Sequence, residues 1–161
     1  DSRKFGRVYL VGDQSEVTGR LGPEPLDDDF TLDAFRARIQ GRSGTLKPLL
    51  LNQFFLAGMG NIYVDEALFA SRLHPLRRAD TLREADIARL YEAIRAVLRE
   101  GIRREGASVN WYRKPDGTKG SAQDGLQVYG HAGDPCPNCG RPIEKTVVGQ
   151  RGTHLCPDCQ Q

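Results

Sequence analysis

The sequence predicts a mainly α protein that ends in a metal-held β-hairpin, and three observations carry that prediction. Cys136-Pro137-Asn138-Cys139 and Cys156-Pro157-Asp158-Cys159 are two C-x-x-C knuckles separated by sixteen residues. That spacing lets four thiolates converge on one Zn²⁺ at about 2.3 Å, with a hairpin carrying one knuckle back to the other. From Thr31 to Ile102 the apolar residues recur at helical spacing. Before them, Phe5, Arg7, Tyr9 and Val11 alternate with Gly6, Val8 and Leu10, the pattern of a strand. One strand cannot stand alone, so residues 1 to about 20 are expected to be the trailing edge of a sheet domain that begins upstream.

The elements follow in order. Leu21-Gly22-Pro23-Glu24-Pro25-Leu26-Asp27-Asp28-Asp29 is a Pro/Gly/Asp connector and marks a domain boundary. Thr31 is the expected N-cap of a helix with Leu32, Phe35 and Ile39 on one face. A second helix is predicted from near Lys47, with Pro48 tolerated in its first turn, through Leu49 to Phe55. Gly58-Met59-Gly60 breaks it. Asn61 opens a third helix, Ile62 to about Arg72, which ends before His74-Pro75. Thr81-Leu82-Arg83-Glu84 reads as the capping box of a fourth, whose apolar stripe is Ile87, Leu90, Tyr91, Ile94, Val97, Leu98 and Ile102. Residues 106 to 127 are rich in Gly, Ser and Asp without periodicity, a long loop of the kind that is functional or disordered. In the finger, Glu144 to Val148 reads as a strand, Gly149-Gln150-Arg151-Gly152 as the turn, and Thr153-His154-Leu155 as the returning strand.

No apolar run approaches the ~20 residues of a membrane span, and Asp1-Ser2-Arg3-Lys4 does not read as a signal peptide. A reducing, cytosolic setting is the expectation, which favours a metal over two disulfides for the four cysteines. Residues 31 to 114 hold 15 basic against 9 acidic side chains, a net +6, whereas residues 131 to 161 hold 3 of each. A basic middle suggests a polyanionic partner, though such a helical segment is more often a solvated face. In the finger, any nucleic-acid contact has to rest on placed residues.

Several residues admit two readings. Gly58-Met59-Gly60-Asn61 is either a tight turn before a helix or a place where phosphate approaches the backbone and free N–H groups bind it. Arg151 is either a commonplace exposed Arg or a fixed guanidinium for bidentate phosphate recognition. Arg3 and Phe5 begin a strand or wedge into a base stack. Arg42 and Lys47 are most simply solvated charges. His74, His131 and His154 lack metal-like spacing and read as structural, and Trp111 and Tyr112 as partial core beneath the loop.

Taken together these motifs resemble formamidopyrimidine-DNA glycosylase, a bacterial base-excision repair family. The resemblance runs along the chain through Arg-Lys-Phe-Gly at 3 to 6, Leu-Gly-Pro-Glu-Pro-Leu at 21 to 26, Gly-Met-Gly-Asn-Ile-Tyr-Val-Asp-Glu-Ala-Leu-Phe at 58 to 69, Leu-Gln-Val-Tyr-Gly at 126 to 130 and Gln-Arg-Gly-Thr-His-Leu-Cys at 150 to 156. It implies a helix-two-turns-helix domain followed by a four-cysteine zinc-finger β-hairpin, with an N-terminal strand left over from an absent β-sandwich domain. The implied boundaries are 1–22 for the end of that catalytic β-domain, 23–30 for a linker, 31–109 for the helical domain, 110–130 for a lesion-capping loop and 131–161 for the finger.

The resemblance also implies roles. Asn61 stands where the family binds phosphate, and Arg151 where a finger Arg grips phosphate and donates a proton in δ-elimination. Tyr129 and Arg42 stand at DNA-contacting positions. Arg3 and Phe5 stand where an Arg reads the orphaned base and a Phe wedges the stack. One structural Zn²⁺ would be held by Cys136, Cys139, Cys156 and Cys159. The implied partner is double-stranded DNA with oxidised or abasic sites, bound by a monomer in the bacterial, nucleoid-associated cytoplasm with no membrane role. The implied reaction is excision of oxidised purines (8-oxoguanine, formamidopyrimidine) with AP lyase cleavage. The family's nucleophile, an N-terminal Pro amine, and its Glu acid/base have no counterpart in these 161 residues. Binding to damaged duplex without excision is therefore expected of this chain alone. The alternatives are a standalone non-catalytic DNA-binding zinc-finger module and a ribosome-associated protein that prefers RNA.

Overall fold

The computed structural model describes residues 6, 8–106, 117, 118 and 120–161. Among them are five helices, α1 (Ser15–Thr18), α2 (Leu32–Ile39), α3 (Leu46–Leu51), α4 (Asn61–Ala70) and α5 (Glu84–Arg103), followed by one antiparallel hairpin, β1 (Glu144–Val148) and β2 (Arg151–Leu155). Arg3, Phe5 and, in the 110–126 loop, residues 110–116 (Trp111 and Tyr112 among them) and 119 lie outside the described residues.

Of the expected front strand, the described residues 8–11 form no strand, and Val8 and Leu10 are fully exposed. A strand is stabilised by its neighbour's ladder, and among the described residues nothing pairs with this segment. Instead Asp13 caps a single turn, its carboxylate accepting from Ser15 N at 2.7 Å.

Thr31 caps α2 as expected, its Oγ1 accepting from Ala34 N at 3.2 Å, and Phe35 and Ile39 are buried. α3 stops at Leu51, four residues short of the predicted Phe55. Asn52 turns the chain there, because its side chain accepts from Phe54 N at 2.9 Å and its carbonyl from Phe55 N and Leu56 N. Local side-chain bonds of this kind compete with helix. α4 is buried at every residue from Val64 to Phe69, Asp65 and Glu66 included, which places it in the middle of the fold. It packs against α3, α5 and β2.

α5 starts at Glu84, and the reach-back that caps it differs from the expected one. Asp86, three residues after Arg83, accepts the Arg83 backbone N–H at 3.2 Å. The expected box is absent because Thr81 closes a 3-10 turn, Ala79–Thr81, and the helix begins only after Arg83, while Glu84 pairs with Arg36 at 2.6 Å. Asp86 is fully buried among Arg77, Arg83 and Arg89. Burial opposes its ionisation, but the hydrogen bonds from Arg83 and Arg89 prevail and hold its carboxyl well below the usual range. Ile102 is exposed although it continues the stripe. Each step of four from Ile94 through Leu98 overshoots the 3.6-residue turn by about 40°, which carries Ile102 off the buried face.

Gly101 sits inside α5 where the Tyr63 ring crosses it, and a Cβ there would lie 2.3 Å from Tyr63 Oη. Ala would improve helix propensity by about 1 kcal/mol, but forced overlap in a packed site costs about 1–3 kcal/mol. Gly101→Ala is therefore expected to lower Tm in thermal unfolding, by roughly 2–4 °C.

The connector is strapped to the helices. Arg95 donates to Pro25 O at 2.6 Å and to Asp27 O and Phe30 O at 3.3 Å, while Tyr91 Oη donates to Phe30 O at 2.8 Å. Phe30, Phe35, Phe55 and Tyr91 then form one aromatic cluster beneath it.

Candidate nucleic-acid interface

The four cysteines meet. Their Sγ atoms lie within 4.8 Å of one another, with Cys136 to Cys159 at 3.9 Å and Cys139 to Cys156 at 3.5 Å. A tetrahedron of 2.3 Å metal–sulfur bonds has edges of about 3.8 Å. The thiols are free, so the disulfide reading falls away. The donor set fits Zn²⁺, which when bound would fix both knuckles and thereby the hairpin between them. Phe69, Val128, Cys136, Ile143 and Cys156 form a small core that seats the knuckles on the end of α4.

The hairpin turn is two residues, not four. Gly149 (φ +56°) and Gln150 (φ +63°) both adopt the left-handed region, as a turn matched to strand twist requires. Arg151 is thus the first residue of β2, paired with Val148, rather than part of the turn. Its side chain is exposed, and among the described residues no carboxylate pairs with it.

What aims this hairpin is a buried network the sequence did not disclose. Lys47, expected to be solvated, is 0% exposed in its side chain, as is Asp65, and Lys47 Nζ stands 2.5 Å from Asp65 Oδ1. The same ammonium donates to Gly152 O at 2.9 Å, and Asp65 Oδ2 accepts from His154 N at 2.9 Å. Burial pulls the Lys47 ammonium down and pushes the Asp65 carboxyl up, each opposed by the hydrogen bond and charge of the other. Arg151 nearby lowers Lys47 further. Asn61, at the first position of α4, donates from Nδ2 to the same Gly152 O at 2.9 Å. The helix start and the residue beside Arg151 therefore share one carbonyl. Gly60 supplies no side-chain cap to α4, and the N–H groups of Asn61 and Ile62 lie ahead of the first intrahelical acceptor, a position that suits an anionic ligand.

Glu66 performs a similar service for Tyr129. Its carboxylate accepts the consecutive N–H groups of Gln127, Val128 and Tyr129 at 2.9, 2.9 and 2.8 Å. Tyr129 then meets the His154 ring edge to face at 4.9 Å. Arg42 is exposed and lies over the Phe55 ring at 5.8 Å, beside Arg38 at 5.7 Å. The histidines are structural in their contacts. His74 Nδ1 accepts from Leu76 N at 3.1 Å, His131 pairs with Asp134 at 2.9 Å, and His154 is buried against Tyr129. Two consecutive acids inside an otherwise apolar helix, Asp65-Glu66, were the available signal for the network.

Two family models match the chain. The formamidopyrimidine-DNA glycosylase H2TH domain covers residues 21–113, and the zinc finger found in FPG and IleRS covers residues 133–161. The formamidopyrimidine-DNA glycosylase of Herpetosiphon aurantiacus is 52% identical over 163 residues, which is 99% of this chain and 59% of that protein. That of Symbiobacterium thermophilum is 48% identical over 164 residues, 99% of this chain and 54% of the relative. The crystal structure of MutM (Fpg) from Thermus thermophilus superposes with a TM-score of 0.92 at 48% identity, over 99% of this chain and 62% of that one. Lactococcus lactis Fpg in complex with DNA containing an abasic site superposes with a TM-score of 0.83 at 40% identity, over 91% of this chain and 54% of that one. The chain thus spans a little over half the length of the relatives it matches. With helix-two-turns-helix and finger both present in that order, the chain belongs to the formamidopyrimidine-DNA glycosylase family and carries its H2TH domain and zinc finger.

Proposed function

We propose that this chain is the DNA-binding portion of a base-excision repair glycosylase/AP lyase acting on oxidised purines. It grips the backbone of damaged or abasic duplex between the start of α4 and the finger. The observation that supports this reading is the Gly152 carbonyl, which ties Asn61 to the strand start bearing Arg151. Asn61 and the α4 N–H groups bind one stretch of phosphate, Arg151 another, with Tyr129 and Arg42 adding contacts and Arg151 serving as proton donor in δ-elimination. Arg3 and Phe5 fill the space of the everted nucleotide. One Zn²⁺ is structural. Phosphate contacts position without specifying sequence, so residues 1–161 bind damaged duplex as a monomer without excising the base. Excision needs the Pro amine and Glu that the family supplies.

Fluorescence anisotropy with a duplex carrying a tetrahydrofuran abasic analogue tests this. Arg151→Ala should weaken binding by roughly 10- to 100-fold, the worth of a charge-assisted hydrogen bond. The slope of log affinity against log salt should become shallower by about one unit or less. An unchanged affinity and slope would remove the finger from the interface. Borohydride trapping on an 8-oxoguanine duplex should give no adduct with residues 1–161; an adduct would mean that another amine in this chain is the nucleophile.

A further inference from the structure

We infer that Gln53 is a positioning residue of the phosphate grip, clamping the turn that presents Asn61 and tying it to the connector at Gly22; this rests on the function proposed above. Between α3 and α4 the chain has no regular structure of its own, and Gln53 supplies the missing bonds. Its Oε1 accepts from Gly58 N at 2.9 Å, while Nε2 donates to Met59 O at 2.9 Å and to Leu51 O at 3.2 Å. Gly58 is left-handed (φ +78°), so the chain reverses at the point where the amide holds it. Met59 is then buried in the core, Gly60 caps α4, and Asn61 reaches Gly152. The turn is pinned at three successive places, and Gln53 is the pin nearest the connector.

The chemistry suits an amide. One group must accept an N–H and donate to two carbonyls, which Gln does and Glu does not. A carboxylate there would also set a negative charge beside the expected phosphate. Gln53 is itself exposed, so it adds little to the core. Its backbone carbonyl accepts from Gly22 N at 2.8 Å, and Ala57 N donates back to Pro23 O at 3.1 Å. This approach needs Gly22, because a Cβ there would lie 2.6 Å from Phe55 O. Movement of the connector is thus transmitted through Gln53 to the helix start. Backbone N–H groups aimed at phosphate must be held to within about 0.5 Å, so loosening the turn weakens the grip without unfolding the domain.

The test uses Gln53→Met, which keeps length and loses the amide. Binding to the tetrahydrofuran duplex should weaken about five- to tenfold, equivalent to one or two neutral hydrogen bonds. Gly58 amide hydrogen exchange should accelerate, while the amides of Leu68 and Leu90 stay protected. Combined with Asn61→Ala the loss should be little larger than Asn61→Ala alone, since both act through one turn. Combined with Arg151→Ala the two losses should multiply. Gly22→Ala should produce a smaller loss of the same kind, and no loss would overturn the tie to the connector. Unchanged Gly58 exchange, or undiminished affinity in Gln53→Met while Asn61→Ala and Arg151→Ala both weaken binding, overturns the clamp alone. If neither of those two variants weakens binding, the proposed function itself fails.

Discussion

Lys47→Met is expected to destabilise the protein by about 3–5 kcal/mol, because it leaves the Asp65 carboxylate buried without its counter-ion. At this chain length that corresponds to a fall in Tm of roughly 6–20 °C. The pair itself is not the source of a comparable gain, since taking both ions out of water cancels most of their attraction. The double variant Lys47→Met/Asp65→Leu should therefore be less damaged than Lys47→Met alone. It still loses the acceptor for His154 N and one of the two donors to Gly152 O, so a cost of about 1–3 kcal/mol remains. Urea unfolding of the two singles and the double closes the cycle, and additive single effects would show that the charges are not coupled. DNA affinity should fall in all three variants. In the two variants that lack Lys47 the Gly152 carbonyl next to Arg151 would be held by Asn61 alone, and in Asp65→Leu the Lys47 donor would lose the carboxylate that holds it.

That network marks the boundary of what could be read from the residues. The helices α2 to α5, the knuckles and the strand Glu144–Val148 were legible because each is a local pattern, such as a helical repeat, a cap at Thr31 or a ligand spacing. Asn61 and Arg151 were legible as candidates for the same reason. That Asn61 reaches the backbone of Gly152, next to Arg151, was not, because the same carbonyl is also held by Lys47, 105 residues before it, buried rather than solvated. Lysine reads as a surface residue in any local window, and only its contact with Asp65 makes burial tolerable. The turn was misjudged by two residues for a similar reason. Gln150 can take the left-handed conformation there because β1 and β2 are held in register from their far ends. Residues 8–11 show the converse, a strand pattern that no neighbour among the described residues converts into a strand.

Removing the metal should dismantle the finger and spare the helices. β1 and β2 are five residues each, a two-stranded hairpin is marginal in water, and only β2 is tied to the helices, through α4 and Lys47. The core beneath the knuckles is only Phe69, Val128, Cys136, Ile143 and Cys156, two of which are ligands. Metal binding to such sites is worth about 10–16 kcal/mol, far more than that core can supply. The helical core, from Phe30 through Ile94, is separate and makes no use of the cysteines. A strong chelator should therefore abolish dispersion of the hairpin NMR signals while far-UV helix signal is largely kept. Cys139→Ser, the most exposed ligand, should act in the same direction. One Zn²⁺ per chain should be released, and Co²⁺ should bind with the strong visible absorption of a tetrahedral thiolate site. Binding to abasic duplex should fall at least as far as in Arg151→Ala, and Arg151→Ala should add nothing once the metal is gone. If chelation left DNA affinity intact, the finger would be folded by its own contacts and Arg151 would not need the metal to be aimed.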